Sequence, residues 1–317
     1  MSKECNNQGR AYEYIFINAL KEKVCTRRKA EILENSAFVA DKNAYAVIGN
    51  KLKETLLKSA NSAIDVIFDM EPMLVEDDGE ILCLSVQTDS HGESGDVRDI
   101  VLSLLNKQWE IGLSIKHNHF AVKHSRLAKD LDFGDKWFDV PCSVEYWNDV
   151  KPIFTNLDKM KSMQKEWGEI TSKYDDVYVP LLSAFVKEVL RSNSLCSDLP
   201  KRMVEYLLGR FDFYKVISVD NMQLTRIQSF NFHGQLNQNL KRIKPKIVVP
   251  LSEYPTRIVD FCFKPESKTT LELYMDKGWQ FSFRLHNASS KVETSLKFDI
   301  QIVGMPTTIM IIDCFWK

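Results

Sequence analysis

Residues 96–126 read DVRDIVLSLLNKQWEIGLSIKHNHFAVKHSR. Two apolar runs, residues 99–105 and 109–116, flank the polar pair Asn106 and Lys107. Two strand-like runs joined by a short polar turn form an antiparallel hairpin. The sequence therefore predicts a hairpin with Asn106 and Lys107 at its turn.

This register brings three chemically useful side chains to one end of the hairpin. Asp99 lies opposite Ser114, and Lys116 shares the face of Ser114 because strand side chains alternate. Directly opposed side chains are about 5 Å apart, so the three groups can surround one phosphate. A one-residue slip would turn Asp99 and Lys116 to opposite faces. A carboxylate for a metal and a lysine for the phosphate predict metal-assisted phosphodiester cleavage.

A magnesium site usually needs more than one carboxylate, and the hairpin supplies only one at this end. Three candidates remain open for the second: Glu13 in the first predicted helix, Asp96, and Glu110. In the predicted register Glu110 opposes Ser103 and lies about 13 Å along the strand from Ser114, which disfavours it. The alternative interpretation is that acids and lysines near strand ends are ordinary surface residues.

Histidines follow the hairpin in the segment KHNHFAVKH, residues 116–124. His117 and His119 form an H-x-H pair, which can bind zinc from one face of a strand. No third ligand stands at a persuasive spacing, so contacts to phosphate or internal hydrogen bonds are the favoured roles of His117, Asn118 and His119.

Composition sets the broad class. The chain has 317 residues, 44% hydrophobic content and a net charge of −1, which allows one large domain or two small ones. It has no apolar run long enough to span a membrane and no apolar signal sequence at its start. Seven cysteines without a C-x-x-C pair predict neither a disulfide framework nor a zinc ribbon, and they favour a reducing cytoplasm.

Helical and strand patterns divide the chain unequally. The predicted helices are residues 10–24, 51–69 and 120–129 and most of 148–209. Residues 80–87 read as a strand, and β-branched alternation dominates after residue 214. We predict an α/β first part at residues 1–210 and a strand-rich last part at residues 211–317.

Longer strings resemble a known family. They are GDVRDIV (95–101), WEIGLSIKHNH (109–119), DFGDKWF (132–138), NQGRAYEY (7–14), ILENS (32–36) and WQFSFRLHNASSKVE (279–293). Together they resemble the HaeIII-type family of type II restriction endonucleases, and the similarity runs across nearly the whole chain.

The resemblance implies Mg²⁺-dependent cleavage of double-stranded DNA at GGCC with blunt ends. It implies an α/β (α+β) fold of the PD-(D/E)XK nuclease type, a mixed central sheet flanked by helices. On this resemblance residues 1–210 are expected to be the nuclease core with helical insertions, and residues 211–317 the strand-rich DNA-recognition part. Asp99 matches the acid of that pattern and Lys116 its lysine. Ser114 replaces the acid that usually precedes the lysine by two residues, which keeps Glu13 and Glu110 as substitutes. A cognate DNA methyltransferase is implied, and a palindromic target suggests a homodimer.

Two groups of residues are predicted to contact DNA. The first, in the strand-rich part, comprises Arg284, His286, Asn287 and Lys291. Arginine or lysine can donate two hydrogen bonds to guanine, so we expect base or nearby backbone contacts there. The second comprises Lys123, His124 and Arg126, and we expect these residues to contact phosphates. The alternatives are a polar hairpin loop, a nuclease with another target, and a DNA-binding protein without catalysis.

Overall fold

The computed structural model describes residues 3–88, 96–240 and 242–317. Its helices are α1 (Lys3–Cys25), α2 (Ser36–Val47), α3 (Asn50–Met70), α4 (Phe133–Phe138), α5 (Val144–Ser162), α6 (Val179–Leu195) and α7 (Leu199–Leu208). Its strands are β1 (Ala30–Leu33), β2 (Leu82–Val86), β3 (Ile100–Leu104), β4 (Trp109–His117), β5 (Lys123–Ala128), β6 (Phe213–Val219), β7 (Leu224–Phe230), β8 (Ile258–Phe263), β9 (Thr270–Met275), β10 (Gln280–His286), β11 (Ser295–Gly304) and β12 (Ile311–Phe315).

The chain forms two compact units, each with its own sheet. The first unit comprises Met1–Phe120, Gly209–Glu253 and Thr307–Lys317, and the second comprises Ala121–Leu208 and Tyr254–Pro306. The predicted division at residues 210 and 211 does not coincide with these units. The reason is strand pairing: β6, β7 and β12 join the sheet of the first unit, whereas β8 to β11 pair with one another and with β5.

The first unit contains a mixed seven-stranded sheet in the order β1-β2-β3-β4-β6-β7-β12. Strands β1 and β2 are parallel, as are β4 and β6, and the other pairs are antiparallel. One face packs against α1 and α3 through fully buried residues such as Phe16, Ile67, Leu102, Ile111 and Leu113. Burying each such side chain contributes about 1.5–3 kcal/mol. The predicted mixed central sheet with covering helices is confirmed.

The hairpin of β3 and β4 has the predicted register. Ile100 pairs with Leu113, and Ser103 pairs with Glu110. The turn is closed by the Gln108 amide, which donates to the Leu105 carbonyl at 3.2 Å. Asn106 and Lys107 are therefore at the centre of the turn, as the sequence predicted.

The second unit contains an antiparallel five-stranded sheet in the order β5-β11-β10-β9-β8. The predicted helix at residues 120–129 is wrong, because Lys123–Ala128 forms β5 against the edge of β11. Ser125 and Leu127 alternate into the interior there, and the sheet supplies backbone partners that override local propensity. The predicted helical character of residues 148–209 is confirmed by α5, α6 and α7.

Two general features concern the cysteines and the helices. The cysteines at positions 25, 83, 142, 196, 262 and 314 are free thiols. Among the residues that the structure describes, no helix combines the length and apolar character that crossing a bilayer requires.

Candidate active site

Asp99 is held at the open end of the hairpin by three hydrogen bonds. Its backbone amide donates to the Leu113 carbonyl at 2.8 Å. Its carboxylate accepts from the Ile115 amide at 2.6 Å and from Ser114 Oγ at 3.2 Å. Because strand β4 supplies all of these partners, the hairpin register fixes both the position and the orientation of the carboxylate.

Lys116 completes the arrangement that the sequence predicted. Its Nζ lies 2.9 Å from Oδ2 and 3.2 Å from Oδ1 of Asp99. Both side chains keep part of their surface open to solvent, 29% for Lys116 and 20% for Asp99. Burial acts to lower the pKa of Lys116, but the charges of Asp99 and Glu13 raise it above its ordinary value. The lysine is therefore a protonated ammonium that faces carboxylates and can be reached from outside.

Glu13 on α1 belongs to the same electrostatic cluster. Burial raises its pKa well above the ordinary value, and the charges of Asp99 and Asp41 raise it further against the opposing effect of Lys116. Two carboxylates whose charges repel each other form the kind of oxygen donor set that a hard divalent cation prefers. Glu13 and Asp99 therefore fit a magnesium ion by the chemistry of their donors.

Asp96 and Glu110 are both bound by Arg98. The Arg98 guanidinium pairs with both carboxylate oxygens of Asp96, at 2.8 and 2.7 Å, and with Glu110 at 2.6 Å. It also stacks 4.0 Å above the Phe211 ring. Its stem lies across Gly112, where any Cβ would come within 1.9 Å of Arg98 Cδ. Because Arg98 engages both acids, they serve the architecture of the hairpin in this structure.

Lys215 is a residue near the site that the sequence reasoning missed. It pairs with Ser114 in the register of β4 and β6, and its side chain is buried. Its Nζ donates to the Phe120 carbonyl at 2.9 Å. Burial lowers the pKa of Lys215 to about 7, and the charge of Lys116 adds to this effect. The available signal was a lysine inside the apolar run FYKVISV.

Lys215 predicts a pH dependence of stability. Its folded-state pKa of about 7 is below its ordinary value of 10.5, so between these values the unfolded chain binds more protons. The free energy of unfolding should then rise with pH, with a slope of at most about 1.4 kcal/mol per pH unit from this group. Urea unfolding of wild type and Lys215→Met in metal-free buffer from pH 7 to 10 should show a shallower rise for the variant. Equal slopes would contradict the prediction, and the exposed Lys187→Met is the matched control.

His117 and Asn118 tie together the ends of two parallel strands. His117 Nε2 lies 2.8 Å from Asp220 Oδ2 and 3.1 Å from Asn118 Nδ2. Asn118 Oδ1 accepts from the Asp220 backbone amide, and the Asn118 backbone amide donates to the Ser218 carbonyl. His119 is half-buried. Within residues 3–88, 96–240 and 242–317, no group of three or more His, Cys, Asp or Glu side chains could hold a metal ion.

The residues near β5 that were predicted to contact phosphates lie on different faces of the strand. Lys123 turns inward, with Nζ 3.0 Å from the Tyr206 carbonyl and 3.8 Å from the ring centre, and burial lowers its pKa to about 8. Arg126 is exposed and donates to Ser295 Oγ at 3.1 Å. The His124 side chain lies outside the described part of the structure.

The residues around β10 that were predicted to contact DNA differ in their exposure and in the hydrogen bonds that they already form. Arg284 is 59% exposed, and its guanidinium lies 3.5 Å from Asp299. His286 Nδ1 donates to the Asn287 carbonyl at 2.9 Å. Asn287 shapes the following turn, because its Nδ2 donates to the Ser289 carbonyl. Lys291 is exposed.

Comparison with known proteins identifies close similarity over the whole chain. The family model described as HaeIII restriction endonuclease matches residues 9–306. The type II restriction enzyme HaeIII of Haemophilus aegyptius is 48% identical over 318 residues, and the alignment covers 100% of both chains. No solved structure matches this chain.

Proposed function

Since the chain belongs to the HaeIII restriction endonuclease family and is a type II site-specific deoxyribonuclease, we propose that it cuts double-stranded DNA at GGCC. We further propose that cleavage leaves blunt ends and depends on Mg²⁺. The observation that carries the chemistry is the contact between Asp99 and the ammonium of Lys116 at the open end of the hairpin, with Glu13 in the same electrostatic cluster.

The metal ligands in this proposal are Asp99 and Glu13. Asp96 and Glu110 are poorer candidates for metal ligands because Arg98 already pairs with the carboxylate of each. A bound Mg²⁺ polarises a phosphate and makes water a stronger nucleophile at neutral pH. Ser114 occupies the place of the usual acid, and its hydroxyl supports Asp99 by donating to Oδ2. The serine thus orients one metal ligand instead of providing another.

Lys116 acts on the scissile phosphate. Its ammonium can donate to a non-bridging phosphate oxygen and stabilise the negative charge that develops there during attack. The same group can orient the attacking water. In the protein alone Lys116 is paired with Asp99, so the ammonium is already positioned beside the carboxylate before DNA binds.

A digest of one long duplex of known sequence tests the proposal. We expect discrete fragments whose ends all fall at GGCC and are blunt, cleavage that requires added Mg²⁺, and no cleavage in EDTA. A smear would indicate a nuclease with another target. Duplex binding in Mg²⁺ without nicking would indicate a DNA-binding protein without catalysis. Either outcome would overturn the proposed activity.

The proposed biological setting follows from this activity. A palindromic target is matched by two-fold symmetry, so we propose a homodimer on DNA. A cognate methyltransferase that modifies GGCC would protect the host DNA. Cytoplasmic localisation is consistent with the free cysteines.

A further inference from the structure

Three polar side chains line up across the sheet of the second unit. In the strand register Arg126 on β5 pairs with Lys297 on β11, and Lys297 pairs with His286 on β10. Their strand neighbours Leu127 and Phe298 are fully buried. Because side chains alternate along a strand, the three residues lie on the opposite, outward face. We call Arg126, Lys297 and His286 the basic row.

Arg284 extends the basic row along β10. It is two residues from His286, so both side chains point to the same face. Its register partner is Asp299, with which it forms a loose ion pair at 3.5 Å. Asp299 is two residues from Lys297 and 17% exposed in its side chain. The row itself contains no acid, and the nearest acid in the register is already paired with Arg284.

The basic row has an electrostatic cost in the free protein. Like charges directly opposite each other across a sheet destabilise it. Burial lowers the pKa of Lys297, and the charge of Arg126 lowers it further, so the two cations repel each other. The Arg126 guanidinium is nevertheless held on this face by Ser295 Oγ. A bound anion would remove the repulsion.

The spacing of the row fits an extended anion. Neighbouring strands are about 4.8 Å apart, so the row spreads its donors over roughly 10 Å of outward surface. His286 keeps its ring orientation through the bond from Nδ1 to the Asn287 carbonyl. We propose that the basic row, with Arg284 beside it, binds the phosphodiester backbone of the DNA duplex. This inference rests on the proposed function, since it assigns a second contact surface for the same substrate.

Binding of two duplexes of equal length, one with GGCC and one without it, tests the row. Affinities are measured in Ca²⁺ in place of Mg²⁺, to suppress cutting, over a series of salt concentrations. We expect the double variant Arg126→Gln/Lys297→Gln to bind both duplexes at least 10-fold more weakly at low salt. Each lost phosphate contact should lower the slope of log affinity against log salt by about 0.9, so the slope should fall by about 2.

Three comparisons keep this test decisive. Lys187→Gln on α6 removes a lysine that is 70% exposed and should change neither affinity nor slope. Lys297→Arg should retain the wild-type slope because it keeps the charge. Thermal unfolding of the double variant should occur at or above the wild-type temperature, because the repulsion between Arg126 and Lys297 is removed; weaker DNA binding then cannot be attributed to unfolding.

An unchanged slope of log affinity against log salt in the double variant would contradict the proposal that the basic row binds the DNA backbone. A loss of affinity confined to the GGCC duplex would also contradict it, because that result would indicate contacts with bases. The proposed function is tested by a different measurement, namely whether the wild-type protein cuts at GGCC in Mg²⁺. Wild-type cutting with an unchanged slope in the variant would overturn the row alone.

Discussion

Replacing Lys116 with alanine is expected to reduce DNA cleavage by about 10³-fold or more while the protein stays folded. The ammonium is protonated, partly open to solvent, and 2.9 Å from Asp99. Removing it leaves the developing charge on the phosphate without its nearby cation, and this interaction matters most in the transition state.

The measurement is single-turnover cleavage of a short GGCC duplex in Mg²⁺. The matched control is Lys23→Ala, because Lys23 on α1 also pairs with an aspartate, Asp65, at 2.8 Å but lies outside the cluster. That variant should cleave at the wild-type rate. Duplex affinity in Ca²⁺ should change little for Lys116→Ala. Undiminished cleavage by a folded Lys116→Ala protein would exclude the assigned role.

The hairpin geometry was predictable because its determinants are local. Alternation along two runs and a two-residue polar turn fix the register, and the register alone brings Asp99, Ser114 and Lys116 together. The confirmed pairing of Ser103 with Glu110 also explains why Glu110 does not share the lysine end of the hairpin.

Features that depend on contacts distant in sequence were not predictable. The sequence left Glu13, Asp96 and the disfavoured Glu110 open as alternatives, because nothing local shows that the Arg98 side chain crosses Gly112 to bind two acids. The same limit applies to Lys297, an unremarkable lysine in an alternating strand until β5 and β10 are placed on either side of β11. The predicted helix at 120–129 failed for this reason as well.

The choice among the acids leads to the second large effect. Glu13→Gln should reduce cleavage by about 10²-fold or more, because a neutral amide is a poor ligand for Mg²⁺. Glu110→Gln is the matched control: its side chain is 47% exposed and bound only at one oxygen by Arg98, and it should keep activity within about threefold of wild type. Rates measured across a Mg²⁺ titration should show a higher metal requirement for Glu13→Gln alone. The reverse pattern, with Glu110→Gln inactive and Glu13→Gln active, would move the metal site to the other acid.

Thermal unfolding tests the same substitution, Glu13→Gln, independently of cleavage. The folded-state pKa of Glu13 is raised, by burial first and then by the charges of Asp99 and Asp41. Between its ordinary pKa and the raised value the folded protein binds more protons than the unfolded chain, so this group lowers stability as pH rises. Glutamine lacks this effect. In metal-free buffer at pH 8, Glu13→Gln should therefore unfold at a higher temperature than wild type, although it cleaves more slowly. A glutamate with only a structural role would give lower activity together with lower stability. Slower cleavage together with a higher unfolding temperature would therefore identify Glu13 as a carboxylate whose role is to bind the metal ion.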